Sequence, residues 1–300
     1  MSKTKTPTQF DIAAEDDQVG EPNDAQMTTH ATPGHGAYAP GLVSRVGLAL
    51  GRQLPKGRAG LRLAGAVRPI ALLGVIDGTS DVEAFGLKLR LHPQDNLSEK
   101  RIFLTPQCFD PEELEAVRVF MSKGQKTFMD VGANAGAYAL VAARAGGQSA
   151  RVIAVEPQAE MRRRLLFNAR QNGLEAVEVT GVALSDYEGE DVMRLVSGNH
   201  GGAALGGRGD GEAVRVTTLP KLMDEMSIDR VDAMKIDVEG GEMAILSALF
   251  KNTDAERWPS LLILERADLA GRDAPDAAAL AQAKGYRVKT RTRMNVILER

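Results

Sequence analysis

From about residue 82 onward, apolar positions come in short continuous runs that alternate with stretches of helical spacing. The runs KTFMDV, ARVIAVE, AVEVTGVAL, RVDAMKID and SLLILE have the length and composition of strands buried on both faces. Apolar residues recur with helical spacing near 136–146, 158–171, 240–250 and 273–284, which predicts helices there. Ahead of them, DPEELEAVRVFMSKG predicts another helix, opened by Asp110 as N-cap with Pro111 at the first helical position, and closed by a glycine. The alternation predicts an α/β fold: a doubly wound, mostly parallel sheet with helices on both faces. Two stretches depart from it. VEAFGLKLRLHP has the period-two pattern of an edge strand, with RIFLT as its expected partner, and the closing GYRVKTRTRMNVILER reads as an antiparallel hairpin.

Before residue 80 the pattern is different. Residues 1–40 are rich in Thr, Pro, Gly, Asp and Glu and poor in large apolar side chains, so they bury too little surface to offset the entropy of ordering. A disordered acidic tail is expected, with His30 and His35 as chance neighbours rather than metal ligands. Gly41–Ile76 carries Arg45, Arg52, Lys56, Arg58, Arg62 and Arg68, no acid, and interleaved leucines and valines, with Pro55 dividing it into two short helices. Two readings stand for it: a solvated helical face packed on the domain that follows, or peripheral contact with an anionic membrane. The expected organisation is a tail over 1–40, a basic helical extension over 41–80 and an α/β domain over 81–300.

Composition narrows the partners. A formal net charge of −3 gives no electrostatic basis for nucleic acid as the main partner. The single cysteine, Cys108, forbids an internal disulfide and suits a reducing compartment, and no activating neighbour marks it as a nucleophile. No apolar run approaches the ~20 residues of a membrane span, and the polar N-terminal region lacks the apolar stretch of a secretory signal, so a cytoplasmic protein is expected. Oligomeric state is not legible.

In an open α/β sheet, ligands sit beyond the carboxyl ends of the strands, where strand order reverses. The first strand ends at Asp130 and runs through Gly132, Asn134 and Gly136 into a helix. Gly132 permits a tight turn, Gly136 lets the helix begin close to a ligand, and Asp130 can accept from turn amides or a ligand's ammonium group. This turn is neither the dinucleotide fingerprint nor a phosphate-binding loop. The next strand ends at Glu156, placed to accept from two ribose hydroxyls. After the third strand, the backbone around Ala183 and the side chain of Asp186 lie where an adenine edge can be read, or Ser185 and Asp186 simply form a turn. The fourth ends in KIDVEGGE, where Asp237 and Glu239 suit an orienting or general-base role and Glu242 a helix-start charge. SGNHGGAALGGRGDGEA is expected to be a long glycine-rich loop holding Asn199 and His200, the latter either a proton acceptor or an ordinary loop histidine.

FMDVGANAGAYAL, VIAVEPQAEMRRRLLFNARQNGL, GVALSDYEGE, MKIDVEGGEMAIL and LLILE resemble, in order and spacing over roughly residues 95–300, the motifs of the FkbM-type methyltransferases. The resemblance implies a Rossmann-like seven-stranded sheet with a closing antiparallel hairpin and S-adenosylmethionine as cofactor. It implies that the turn after Asp130 holds the methionine part, Glu156 the ribose, and Ala183 and Asp186 the adenine. Family members mostly methylate hydroxyls on sugars, lipid-linked glycans and natural products. Asp237, Glu239 and His200 are then the candidate bases, and no metal-ligand set is recognisable. In the family, the acid ending the fifth strand is often followed by histidine or another polar residue; here Glu265 is followed by Arg266. The rival readings are a catalytically inactive binding module of the same fold and a nicotinamide-dependent reductase, the latter disfavoured by the missing dinucleotide glycines.

Overall fold

A computed structural model of the chain describes residues 32–174, 176–196, 199–205, 211–266 and 276–300, with the backbone alone at 195–196 and 199–205. The first part holds α1 (Leu42–Arg52), α2 (Arg58–Leu72), β1 (Ser80–Ala84), β2 (Leu87–Leu91), α3 (Leu97–Leu104) and α4 (Pro111–Met121). Strands and helices then alternate: β3 (Thr127–Val131), α5 (Ala137–Gly146), β4 (Arg151–Val155), α6 (Ala159–Gln171) and β5 (Val177–Thr180). Next come β6 (Ala183–Ser185), β7 (Gly189–Val196), β8 (Asn199–Leu205), β9 (Glu212–Thr218) and α7 (Leu219–Glu225). The last part is β10 (Ala233–Ile236), α8 (Glu242–Asn252), β11 (Leu261–Glu265), α9 (Ala277–Ala283), β12 (Arg287–Arg291) and β13 (Asn295–Glu299).

The central sheet has the order β12-β13-β11-β10-β3-β4-β5, with β13 antiparallel to both its neighbours and every other strand running one way. Its strands are apolar throughout because both faces are covered. Along β3, Phe128 enters the core on one face and Met129 the core on the other; Val152 and Ile153 do the same along β4. Helices α4 and α5 cover the first face, α7, α8 and α9 the second. The chain works outward from β3 through β4 to β5, then returns to the other side of β3 with β10 and β11. Strand order therefore reverses between β3 and β10, and a crevice opens at their carboxyl ends.

Four expectations fail for physical reasons. VEAFGLKLRL is a complete hairpin rather than one strand, since Phe85 and Gly86 both take positive φ and turn β1 back as β2. RIFLT is helical: the Asn96 side chain caps α3 by accepting from the Glu99 N–H (3.0 Å), a local signal stronger than the strand propensity of the run. AVEVTGVAL is divided between two sheets, β5 in the central one and β6 in a four-stranded sheet ordered β6-β9-β7-β8. Part of the glycine-rich stretch read as a loop is β8, paired antiparallel to β7; its ladder is made by backbone groups, which apolar patterning does not report. Residues 197–198 and 206–210 of that stretch lie outside the described residues.

The N-terminal helices form where Pro55 was expected to divide them, and Leu48, Ala64 and Ala71 join the core of the α4–α5 face. Of the segment read as a tail, residues 1–31 lie outside the described residues. Gly36 and Tyr38 are held in place, their N–H groups donating to the buried Asp81 carboxylate, which also pairs with Arg90. The free edge of β2 is bound by side-chain amides: Asn168 exchanges hydrogen bonds with the Arg90 backbone and Asn172 with that of Lys88. These amides mimic a neighbouring strand and fasten the hairpin to α6.

Candidate active site

A cavity of about 490 Å³ occupies the crevice. The strand ends of β3, β4, β10 and β11 line it, and Leu87, Leu89 and Leu91 of β2 form an apolar wall.

One side of the cavity is a backbone lattice. Gly132 and Ala133 N–H groups both donate to the Val155 carbonyl, tying the turn after β3 to the end of β4. Gly132 has φ 77°, and an added Cβ would lie 2.0 Å from the Asp237 carbonyl oxygen, so only glycine fits. The Glu156 carboxylate accepts from Asn134 N–H (2.7 Å) and Gln158 N–H (2.9 Å). Each of its oxygens is left with a lone pair for a ligand hydroxyl. Burial raises its pKa against the pull of these two amides. Asn134 sits at φ 51°, and its Oδ1 accepts from Asn96 Nδ2 (2.8 Å), so the residue that caps α3 also steadies the turn. Asp130 accepts from Ala139 N–H at the start of α5 (2.9 Å), while its Oδ1 is buried with no partner. Burial lifts the Asp130 carboxyl to about 6, with the Lys235 ammonium and the Ala139 amide opposing.

The other side collects carboxylates from distant parts of the chain. Lys235, with a side chain 5% exposed, donates to Asp237 Oδ2 (2.7 Å) and lies 4.8 Å from the centre of the Tyr138 ring. Burial works to lower the Lys235 pKa, but Asp237 and Asp130 outweigh it and leave it raised. Asp110 does not cap α4 with its side chain as expected. It sits at φ 39°, and its carboxylate turns away to accept from the Tyr138 hydroxyl (3.0 Å). Burial, and then Glu113, raises its pKa. Strained backbone of this kind persists where the surroundings fix it, often at functional sites. Glu265, half-buried at the end of β11, faces Asp237, Glu239 and Glu242; burial first and these acids second push it to about 7.

The pattern of the methyltransferase FkbM domain matches residues 130–288, more than half of the chain. The chain belongs to the FkbM methyltransferase family. Among curated proteins, the AMB antimetabolite synthetase AmbE of Pseudomonas aeruginosa is 32% identical over 161 residues, 40% of this chain and 7% of that protein. This chain thus spans a small fraction of that relative's length. Solved structures that align include a SAM-dependent methyltransferase from Agrobacterium tumefaciens (12% identity, TM-score 0.42, 75% of this chain and 70% of that one). Another is an O-methyltransferase from Bacillus cereus in complex with SAH (12% identity, TM-score 0.40, 63% of this chain and 80% of that one). Similarity at this level adds nothing to the strand order described above.

The FkbM domain is S-adenosylmethionine-dependent, and the residues present fit that cofactor. The orphaned Asp130 oxygen calls for a donor such as the ammonium of an amino acid, and Glu156 has acceptor capacity left for a ribose diol. The apolar wall from β2 suits a flat base.

The structure brings together at this cavity Asp130, Gly132, Asn134, Glu156, Ala183, Asp237 and Glu239 of the residues singled out in the sequence. Gly136 stands apart: its φ of 90° starts α5, and an added Cβ would meet Leu165 of α6 at 2.5 Å, so its role is packing rather than ligand approach. Asp186 is exposed, outside the cavity lining, and accepts from Ser185 Oγ (3.4 Å). His200 lies in β8, with its side chain outside the described residues. Glu242 accepts from the N–H groups of Val238 (3.1 Å) and Gly240 (3.4 Å), the helix-start role expected of it. Sequence reasoning did not place Asp110, Tyr138 or Lys235 at the site and gave Glu265 no role there. Lys235 alone carried a visible signal, a charged residue inside an otherwise apolar buried strand.

Proposed function

We propose that this FkbM enzyme transfers the methyl group of S-adenosylmethionine to a hydroxyl of a sugar, a glycan or glycolipid, or a natural product, working in the cytoplasm. The observation that carries the reading is the row of acids at the far end of the cavity: Asp110, Asp237, Glu239 and Glu265. Carboxylates accept hydrogen bonds and repel anions, so such a wall suits a neutral acceptor rich in hydroxyl groups. The likeness to part of an antimetabolite synthetase lends support to a natural-product acceptor.

When bound, the sulfonium cofactor supplies an already activated methyl group. What remains for the protein is alignment and proton removal, the first worth on the order of 7–11 kcal/mol. In our reading Asp130, Gly132, Asn134 and Glu156 hold the cofactor's amino-acid and ribose parts, with Ala183 beside the base. Asp237, fixed by Lys235, orients the acceptor hydroxyl. Glu265, whose carboxylate makes no hydrogen bond or ion pair among the described residues and has a pKa near 7, takes the proton as the oxygen attacks. Glu239 stands beside it at the rim.

The test is incubation with methyl-labelled S-adenosylmethionine and a panel of glycosides and hydroxylated natural-product scaffolds. Label recovered in a methyl ether supports the proposal. Label recovered only on nitrogen, carbon or a carboxylate, or cofactor bound with no transfer to any acceptor, contradicts it.

A further inference from the structure

Away from the cavity, the α1–α2 pair is unlike the rest of the surface. Eight of the eleven large apolar side chains exposed among the described residues fall between Leu42 and Ile76. Leu42, Val46 and Leu50 are spaced to form one stripe along α1; Leu63, Ile70 and Leu73 form one along α2. Leu42 and Leu73 are 79% and 74% exposed, values that set them apart from edges of a core.

The two stripes share one side. Gly41 lies beside Gly74, the Ser44 hydroxyl donates to the Ala71 carbonyl, and Gly47 abuts the Ile70–Ala71 peptide. Those pairings run in opposite directions along the chain, so α2 returns antiparallel to α1. Helical periodicity then puts each stripe about a third of a turn from the shared contact line, on the same side of the pair. Arg45 borders the stripe on α1, and Arg58 and Arg62 that on α2, while Arg52 reaches the Glu83 carbonyl of β1. With Lys56 and Arg68, these are the only charged residues from Gly41 to Ile76. All six are exposed, and among the described residues none is ion-paired with a carboxylate.

We propose that this face docks the protein on an anionic lipid bilayer, with the apolar stripes in the headgroup–acyl boundary and the flanking cations on lipid phosphates. No helix among the described residues is long and apolar enough to cross a membrane, so the pair lies in the interface plane. Charge selects the bilayer over a second copy of the chain. A two-fold symmetric interface would set six cations against the same six with no acid in the segment to offset them. The inference stands independently of the methyl acceptor.

The test is co-sedimentation of the full chain with phosphatidylcholine vesicles, and with vesicles in which part of the lipid is phosphatidylglycerol. At about 1 kcal/mol per basic residue near the surface, the bound-to-free ratio rises at least about tenfold on the anionic vesicles. It falls as salt is raised. The double variant Leu50→Glu/Leu73→Glu loses vesicle binding on both compositions. Arg58→Gln/Arg62→Gln loses mainly the preference for anionic lipid. Circular dichroism unchanged from wild type shows that both variants remain folded, as expected for exposed positions. No sedimentation with either vesicle overturns the proposal, as does equal binding to both. A dimer by light scattering that Leu50→Glu/Leu73→Glu separates, without vesicle binding by the wild type, assigns the face to a second copy and overturns it as well.

Discussion

The two sides of the cavity are built on different principles. On the side proposed to hold the cofactor, each carboxylate takes backbone amides: Glu156 accepts from Asn134 and Gln158, Asp130 from Ala139, and the turn is fastened to β4 through the Val155 carbonyl. On the acid side, carboxylates arrive from the start of α4, the end of β10 and the end of β11, and a single buried ammonium, Lys235, sits among them. The first arrangement is rigid and continuous with the fold. Burial raises carboxyl pKa values on both sides; in the second arrangement neighbouring acids raise those of Asp110 and Glu265 further. In the proposed function, binding falls to the backbone and reactivity to side chains that the sheet gathers.

Equivalent small changes therefore have opposite consequences on the two sides. Gly132→Ala has the largest expected effect on stability. Its methyl group would overlap the Asp237 carbonyl oxygen at a backbone angle that disfavours alanine, costing about 4 kcal/mol or more by urea unfolding. Glu265→Gln does not destabilise the fold, and at neutral pH it is at least as stable as the wild type, because it removes a carboxylate held half-buried among like charges. Turnover in that variant falls by about 10²–10⁴-fold while cofactor affinity is kept, as for loss of a general base. Equal loss of cofactor affinity and turnover would erase the distinction.

The pH dependence sharpens it further. Glu265 titrates near 7 in the folded protein, above its unfolded value, so it is protonated without penalty at low pH. Its contribution to stability is complete below about 4.3 and is lost as pH rises toward 7. Activity moves the other way, rising through about 7 as the carboxylate becomes able to accept a proton. Glu265→Gln flattens both profiles. A stability curve with unchanged slope in the variant would show that Glu265 is not the group responsible. Asn96→Ala has the smallest effect: about 1 kcal/mol from the lost α3 cap, with a few-fold weaker cofactor binding from a looser Asn134 turn, read by melting and calorimetry.

The same contrast explains what the sequence disclosed. The cofactor side is local: strand, turn and helix follow one another within thirty residues, so Asp130, Gly132, Asn134 and Glu156 were legible from apolar runs and glycine spacing. The central sheet was legible for the same reason. Asp110 was read as a helix cap because its flanking residues look like a helix start; only its contact with Tyr138, twenty-eight positions away, shows otherwise. Glu265 gains its character from burial first and then from Asp237, Glu239 and Glu242, none of them near in sequence. The β1–β2 hairpin was half visible, as a period-two pattern whose turn is marked by Phe85-Gly86. The division of AVEVTGVAL between two sheets was invisible, because both halves carry strand-like residues and only their partners differ.

The most direct test of the account is a calorimetric titration of wild type, Glu156→Ala and Glu265→Gln with S-adenosylmethionine, S-adenosylhomocysteine and NADH. In the proposed pose, removing Glu156 leaves the two ribose hydroxyls without acceptors, which at about 1–3 kcal/mol for each unsatisfied group amounts to roughly a hundredfold or more in affinity. The expected result is binding of the adenosyl compounds and not NADH by the wild type, that loss in Glu156→Ala, and wild-type affinity in Glu265→Gln. Adenosyl binding that survives in folded Glu156→Ala and fails in Glu265→Gln would place the cofactor on the wrong side of the cavity and contradict it.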